Sequence, residues 1–183
     1  MTPTLLLIAL PILVVVYLIG IYNTLAALRV KVQEAWSGID VQLKRRVDLI
    51  PNLVATVKAY AQHEKGVFEA VTAARSALMS AGSHKDALKA DDQLTGALKS
   101  LFAVAEAYPE LKAQQGFVQL QNELSDTESK VAYSRQFYNS VVRDMNSKIV
   151  TFPGTIFAAM FGFKQEEFFE ADDAEREPVK VSF

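Results

Sequence analysis

The chain has 183 residues, and 19 Lys and Arg against 21 Asp and Glu leave a formal charge of −2, a balance that offers nucleic-acid phosphates no basic face. It contains no Cys, which excludes disulfides, thiolate metal sites and cysteine nucleophiles. Only eight Gly and six Pro occur, alternating runs of β-branched and aromatic residues are nearly missing, and an all-α protein with one core is expected.

From Leu5 to Tyr22 the sequence carries no charged side chain, and none occurs before Arg29. As helix this run is about 27 Å long, close to a hydrocarbon core of about 30 Å. Leu5, Leu6, Leu7, Ile8, Leu13, Val14, Val15, Val16, Leu18 and Ile19 are its anchoring side chains against a lipid bilayer. Met1 to Thr4 supply no basic n-region and no small-x-small site closes the run, so a retained anchor is expected rather than a cleaved signal. Arg29 and Lys31 follow the run with nothing basic before it. That bias places the N-terminus outside and the body in the cytoplasm, with the membrane crossed once. Pro11 is tolerated in a span whose neighbours satisfy the freed carbonyl.

Beyond the span the apolar positions narrow to Leu25, Leu28, Val32, Ala35, Trp36, Ile39, Leu43 and Val47, the seam of a helix packing on others in water. Pro51 disfavours helix at Ile50 and removes a donor, which predicts a turn over 48–53. A second helix follows from about Leu53 to Met79, with Val57, Val67, Val71, Ala74 and Leu78 on one face. After the polar connection 81–86, Asp91 or Asp92 is a candidate cap for a third, short helix that stops at Tyr108-Pro109. The fourth is the clearest. Phe117, Leu120, Leu124, Thr127, Val131, Ser134, Tyr138, Val141 and Met145 alternate spacings of three and four, a coiled-coil-like heptad seam that implies near-antiparallel packing.

Short connections make successive helices antiparallel. The expected fold is therefore an N-terminal transmembrane helix continuing into an antiparallel three- or four-helix bundle, and the fourth helix returns the chain to the bilayer. The apolar residues Phe152, Ile156, Phe157, Met160, Phe161 and Phe163 then lie beside the membrane surface, in a run too short to span it. The domain plan is an anchor over 1–22, a bundle over 23–150, an apolar juxtamembrane segment over 151–165 and an acidic C-terminal tail over 166–183, frayed from Glu166 to Glu177.

Several strings carry a resemblance. Ala35-Trp36-Ser37, Ile39-Asp40-Val41-Gln42-Leu43-Lys44-Arg45-Arg46, Asp48-Leu49-Ile50-Pro51-Asn52-Leu53-Val54, Tyr108-Pro109-Glu110-Leu111, Leu120-Gln121-Asn122-Glu123-Leu124 and Phe137-Tyr138-Asn139 resemble the LemA family, in order and over essentially the whole chain. Gly38, Ser134 and Met145 depart from the family's more usual residues. The resemblance implies a bacterial single-span protein with an antiparallel helical-bundle body and brings no established enzymatic activity. One relative belongs to the magnetosome membrane, which hints at membrane organisation.

Chemistry is sparse. His63-Glu64 is half of a zinc helix motif, but Val67 stands at the second ligand position, and the sequence holds no Glu-x-x-His pair, nucleophile elbow, Walker loop or dinucleotide fingerprint. No catalytic residue, metal site or cofactor is expected. Lys44, Arg45 and Arg46 are read as inter-helix ion-pair partners, with Glu123 and Glu128 at their height on the returning helix and Arg135 near Glu34 and Asp40. Asn139 and Asn146, one heptad apart, are assigned to capping and inter-helix hydrogen bonds. Trp36 is read as a core anchor. A slender bundle has little interior for a substrate but long flanks for neighbours. The expected role is a non-catalytic, self-associating membrane scaffold, a homo-oligomer that organises or shapes the membrane. The alternative is a membrane-anchored adaptor that docks another membrane protein such as a protease or transporter.

Overall fold

The computed structural model describes residues 3–169, with side chains from residue 9 onward. Among the described residues the chain is all-α: α1 (Pro3–Lys58), α2 (Lys65–Met79), α3 (His84–Glu106), α4 (Pro109–Lys112), α5 (Gln115–Val150) and α6 (Gly154–Phe161). The fold is a helical bundle led by a long apolar helix. Contacts divide the chain into a central unit, residues 37–134, and a terminal unit, residues 1–36 and 135–183. The expected tail over 170–183 lies outside the described residues, as do the side chains of Leu5, Leu6, Leu7 and Ile8.

In the central unit the predicted turn at Pro51 does not form. Helix α1 passes through it to Lys58, although an interior proline costs about 3 kcal/mol by removing one hydrogen bond and crowding the carbonyl four residues back. That carbonyl belongs to Val47, and it accepts from Nε of Arg75 on α2 at 3.1 Å. Ile50, Leu53 and Val57 are buried almost completely around it, so tertiary packing outweighs local propensity. The break falls instead at Ala59–Glu64, where Tyr60 and Ala61 both donate to the Val57 carbonyl and Glu64 donates to Ala61. Moving the break changes the phase of α2. Phe68, rather than Val67, joins Val71, Ala74 and Leu78 inside.

Helix α3 starts at His84, well before the expected Asp92, because Ser83 caps it. The Ser83 hydroxyl accepts from the Asp86 backbone N–H at 3.1 Å, which caps the helix, and donates to the Asp86 carboxylate at 2.7 Å. At 23 residues it is longer than the 15-residue α2, against the expectation of a short third helix. It packs on α2, burying Leu88, Leu94, Leu98, Leu101 and Ala105. The stop before Tyr108-Pro109 stands as read: Ala107 caps α3 and Pro109 opens the single turn α4, where its missing N–H costs nothing. Phe117, Leu124, Thr127 and Val131 then bury the first half of the α5 seam, while Leu120 is half-buried.

In the terminal unit α1 is exposed along its apolar run and narrows to a stripe in which Leu25, Val32 and Ala35 are buried. The facing stripe of α5 is Tyr138, Val141, Val142, Met145 and Ile149. The two run antiparallel, with Trp36 edge-on to Tyr138 at 6.3 Å and Tyr22 edge-on to Phe161 at 5.2 Å. Between α5 and α6 the chain turns through a cis Phe152–Pro153 bond and passes so close to α5 at Gly154 that a Cβ there would drive into the Lys148 carbonyl oxygen. Gly162, at φ 74°, ends α6 in the left-handed conformation that glycine adopts without strain.

Candidate functional site

Two features of the terminal unit are candidates for function. The first is its apolar surface. Helix α1 is long and apolar enough to cross a membrane; Leu13, Val14, Val15, Val16 and Ile19 are all at least half exposed, and Leu18 is half-buried. Tyr22, at the end of this run, carries Phe161 at 5.2 Å and Phe163 at 5.8 Å, both edge-on. The C-terminal phenylalanines therefore stand beside the last turn of the apolar run. Phe152 is 81% exposed and Met160 66%. Ile156 is exposed too, while Phe157 and Phe163 are half-buried. A cleft beside them is lined by Val16, Tyr17, Gly20, Thr24, Lys148 and Phe152.

The second feature is a strap, residues 164–169, lying extended along α5. Asn146 donates from Nδ2 to the Glu166 carbonyl at 2.8 Å and accepts the Glu166 N–H on Oδ1 at 2.9 Å. Asn139 repeats the pair on Phe169, at 2.8 Å each way. A side-chain amide holds a donor and an acceptor in one plane, so each asparagine pairs with a main-chain residue much as a neighbouring strand would. The register matches: seven helical residues rise about 10.5 Å, and three residues at polyproline spacing, which brings residues 166 and 169 to the same side, cover about 9 Å. The Phe169 ring lies 4.3 Å from Tyr138 and 5.7 Å from Trp36. Burial pushes the Tyr138 phenol above its ordinary value of 10.0, and the charges of Glu166 and Glu167 push it further. Trp36, read as a core anchor, is half-buried and forms one wall of this aromatic cradle. The tail expected to fray from residue 166 is thus held as far as Phe169. Seam periodicity marks Asn139 and Asn146, but their partners lie 30 and 20 residues away, respectively, and no local signal points there.

The basic cluster belongs to the central unit. Arg46 is buried, its side chain 2% exposed, and its Nη1 lies 2.7 Å from the equally buried Asp91. Its Nη2 lies 3.8 Å from the exposed Glu128. Asp91, read from sequence as a cap, is inside α3. Arg45 approaches Asp126 at 3.9 Å, and Lys130 meets the same carboxylate at 2.7 Å. Lys44 is exposed, and Glu123 accepts from Gln119 at 3.2 Å. On the other side of the division, Glu34 is exposed and Arg135 half-buried; Asp40 is exposed in the central unit. His63 and His84 are both exposed. Among the described residues no three His, Asp or Glu side chains cluster so as to hold a metal ion.

Comparison with known proteins gives a family. The LemA family model matches residues 35–183. Two magnetosome proteins of Paramagnetospirillum magneticum, MamQ 1 and MamQ 2, are each 27% identical over 184 residues, covering 86% of this chain and 68% of theirs. The LemA protein of Metamycoplasma hominis is 29% identical over 168 residues, covering 90% of this chain and 75% of its own.

Proposed function

The chain belongs to the LemA family, and from that membership and the surface of its terminal unit we propose that it is a non-catalytic, self-associating membrane scaffold that organises or shapes a bacterial membrane. The observation that carries the reading is the seating of Phe161 and Phe163 on Tyr22. It brings an apolar helix, α6, to the end of the exposed apolar run of α1. With Phe152, Ile156 and Met160 exposed, α6 is too short to span and apolar enough to lie in the interface. A span with an interfacial helix beside it fills one leaflet more than the other. Arg29, Lys31, Arg143 and Lys148 are exposed on the same unit. They favour an N-terminus outside and a body in the cytoplasm. Relatives named as magnetosome proteins support a role in membrane organisation.

Size-exclusion chromatography with light scattering on the detergent-solubilised full-length protein tests self-association; a monomer at every concentration would overturn it. Cross-linking in native membranes tests the scaffold role, for which self-adducts are expected. One recurrent heterologous adduct would replace it with an adaptor for another membrane protein. Orientation is read by an impermeant thiol reagent on T2C and K85C, since the chain has no Cys of its own. Cells should protect K85C and expose T2C.

A further inference from the structure

The strap is held in a way that does not depend on which copy of the chain supplies it. All four asparagine bonds go to main-chain atoms of residues 166 and 169, so the clamps read an extended backbone rather than a side-chain sequence. The reader of sequence is the cradle of Trp36 and Tyr138, which takes one aromatic ring, Phe169. At its other end the strap leaves a finished structure. Gly162 closes α6, and the Phe163 N–H returns to the Ala158 carbonyl at 2.9 Å. A strap peeled away at this point breaks none of the backbone bonds that close α6.

We propose that the groove over Asn139, Asn146, Trp36 and Tyr138 is a docking site for residues 164–169 of a second copy, and that neighbouring copies are linked by reciprocal exchange of the strap. This rests on the self-association reading above and names the contact that produces it. The seated segment is itself the argument for this occupant: backbone, ring and register fit, and every copy carries both halves. Exchange keeps each contact, so its cost is confined to chain entropy, and anchoring copies in one membrane raises their effective concentration. The first clamped residue, Glu166, lies three residues past Phe163, a reach of about 10 Å, which requires the exchanging helix pairs to stand in direct contact.

The test uses two full-length single-cysteine proteins of different mass, R143C on α5 between the two asparagines and F168C in the strap, reconstituted together in liposomes and treated with a short bismaleimide. A mixed adduct between the two copies is expected. It should fall on the order of tenfold when the R143C copy also carries N139L and N146L, which remove both backbone clamps. F169A in the strap copy should lower it as well with every groove residue unchanged, which guards against a groove variant that misfolds. A mixed adduct no stronger than the R143C self-adduct, or one indifferent to the clamps and to Phe169, would overturn exchange. So would an adduct found only within one chain of an R143C/F168C double variant. Light scattering on the same samples separates the two ideas. Oligomers without exchange adducts overturn the exchange alone, and monomers throughout overturn self-association with it.

Discussion

Replacing Asp91 by Ala strips the buried Arg46 guanidinium of its nearest carboxylate. The two side chains are 2% and 3% exposed and meet at 2.7 Å, so neither charge recovers hydration when the other is removed. Breaking such a pair costs about 3–5 kcal/mol. Glu128 remains at 3.8 Å, but it is 53% exposed, and solvent-screened pairs contribute about 0–1 kcal/mol. The loss for D91A should therefore stay at about 3–5 kcal/mol, and R46M should lose a similar amount by removing the buried cation that Asp91 faces. The double variant R46M/D91L leaves no buried charge and should regain most of the loss, ending near the wild type or above it. Urea unfolding of the full-length protein in mild detergent, followed by helical circular dichroism, reads all three. If the single variants lose less than about 1 kcal/mol, the pair behaves as a solvated one and the reasoning fails. If the double variant loses as much as the singles added together, the cost is packing volume and not charge.

Three further substitutions probe the other contacts. R75M should cost about 1–3 kcal/mol by leaving the Val47 carbonyl without its partner, and P51A should rescue it, because Ala supplies the N–H that proline lacks; equal losses in the P51A and wild-type backgrounds would refute that role. G154A should cost about 1–3 kcal/mol through the clash with the Lys148 carbonyl, read as a lowered unfolding midpoint, and an unchanged midpoint would show that the α5–α6 corner yields. The raised Tyr138 pKa means that the folded state holds the phenol proton more tightly than the unfolded chain. Its stabilising contribution is complete below about pH 10 and is lost as the pH climbs from there through the folded value. Ultraviolet titration should show one tyrosine ionising late in the wild type and not in Y138F, and identical titrations apart from one fewer tyrosine of ordinary pKa would refute the burial.

How much was legible in the sequence follows the physical range of each signal. The α5 seam was legible because a heptad repeats its message: Phe117, Leu124, Val131, Tyr138, Val141 and Met145 are all buried. The long apolar start of α1 was legible from composition alone. Pro51 misled because propensity is local, while the group that satisfies the orphaned Val47 carbonyl, Arg75, is 28 residues away. Asp91 misled for a related reason, since a carboxylate in a polar stretch looks like a cap until another helix brings an arginine to it. Glu128 was placed at the height of the basic triad by counting along the helices, and it lies within reach of Arg46. Asp91 has no periodic relation to that triad.

The two least legible places share a chemistry. At Val47 an arginine replaces a main-chain N–H that proline cannot offer, and along the strap two asparagines replace the neighbouring strand that an extended segment would otherwise need. In both, side chains complete a backbone that its own secondary structure leaves unsatisfied, which a buried main chain requires. The consequences differ. Arg75 makes a fixed repair inside a helix, where Pro51 and its neighbours cannot leave. The asparagines hold a segment with no helical or sheet bonds of its own, tied to the rest by a glycine turn. The same four bonds could form on any extended chain that brings a phenylalanine into the cradle. Permanence at Val47 and exchangeability at the strap therefore follow from one rule, applied once to a helix interior and once to a segment outside any helix.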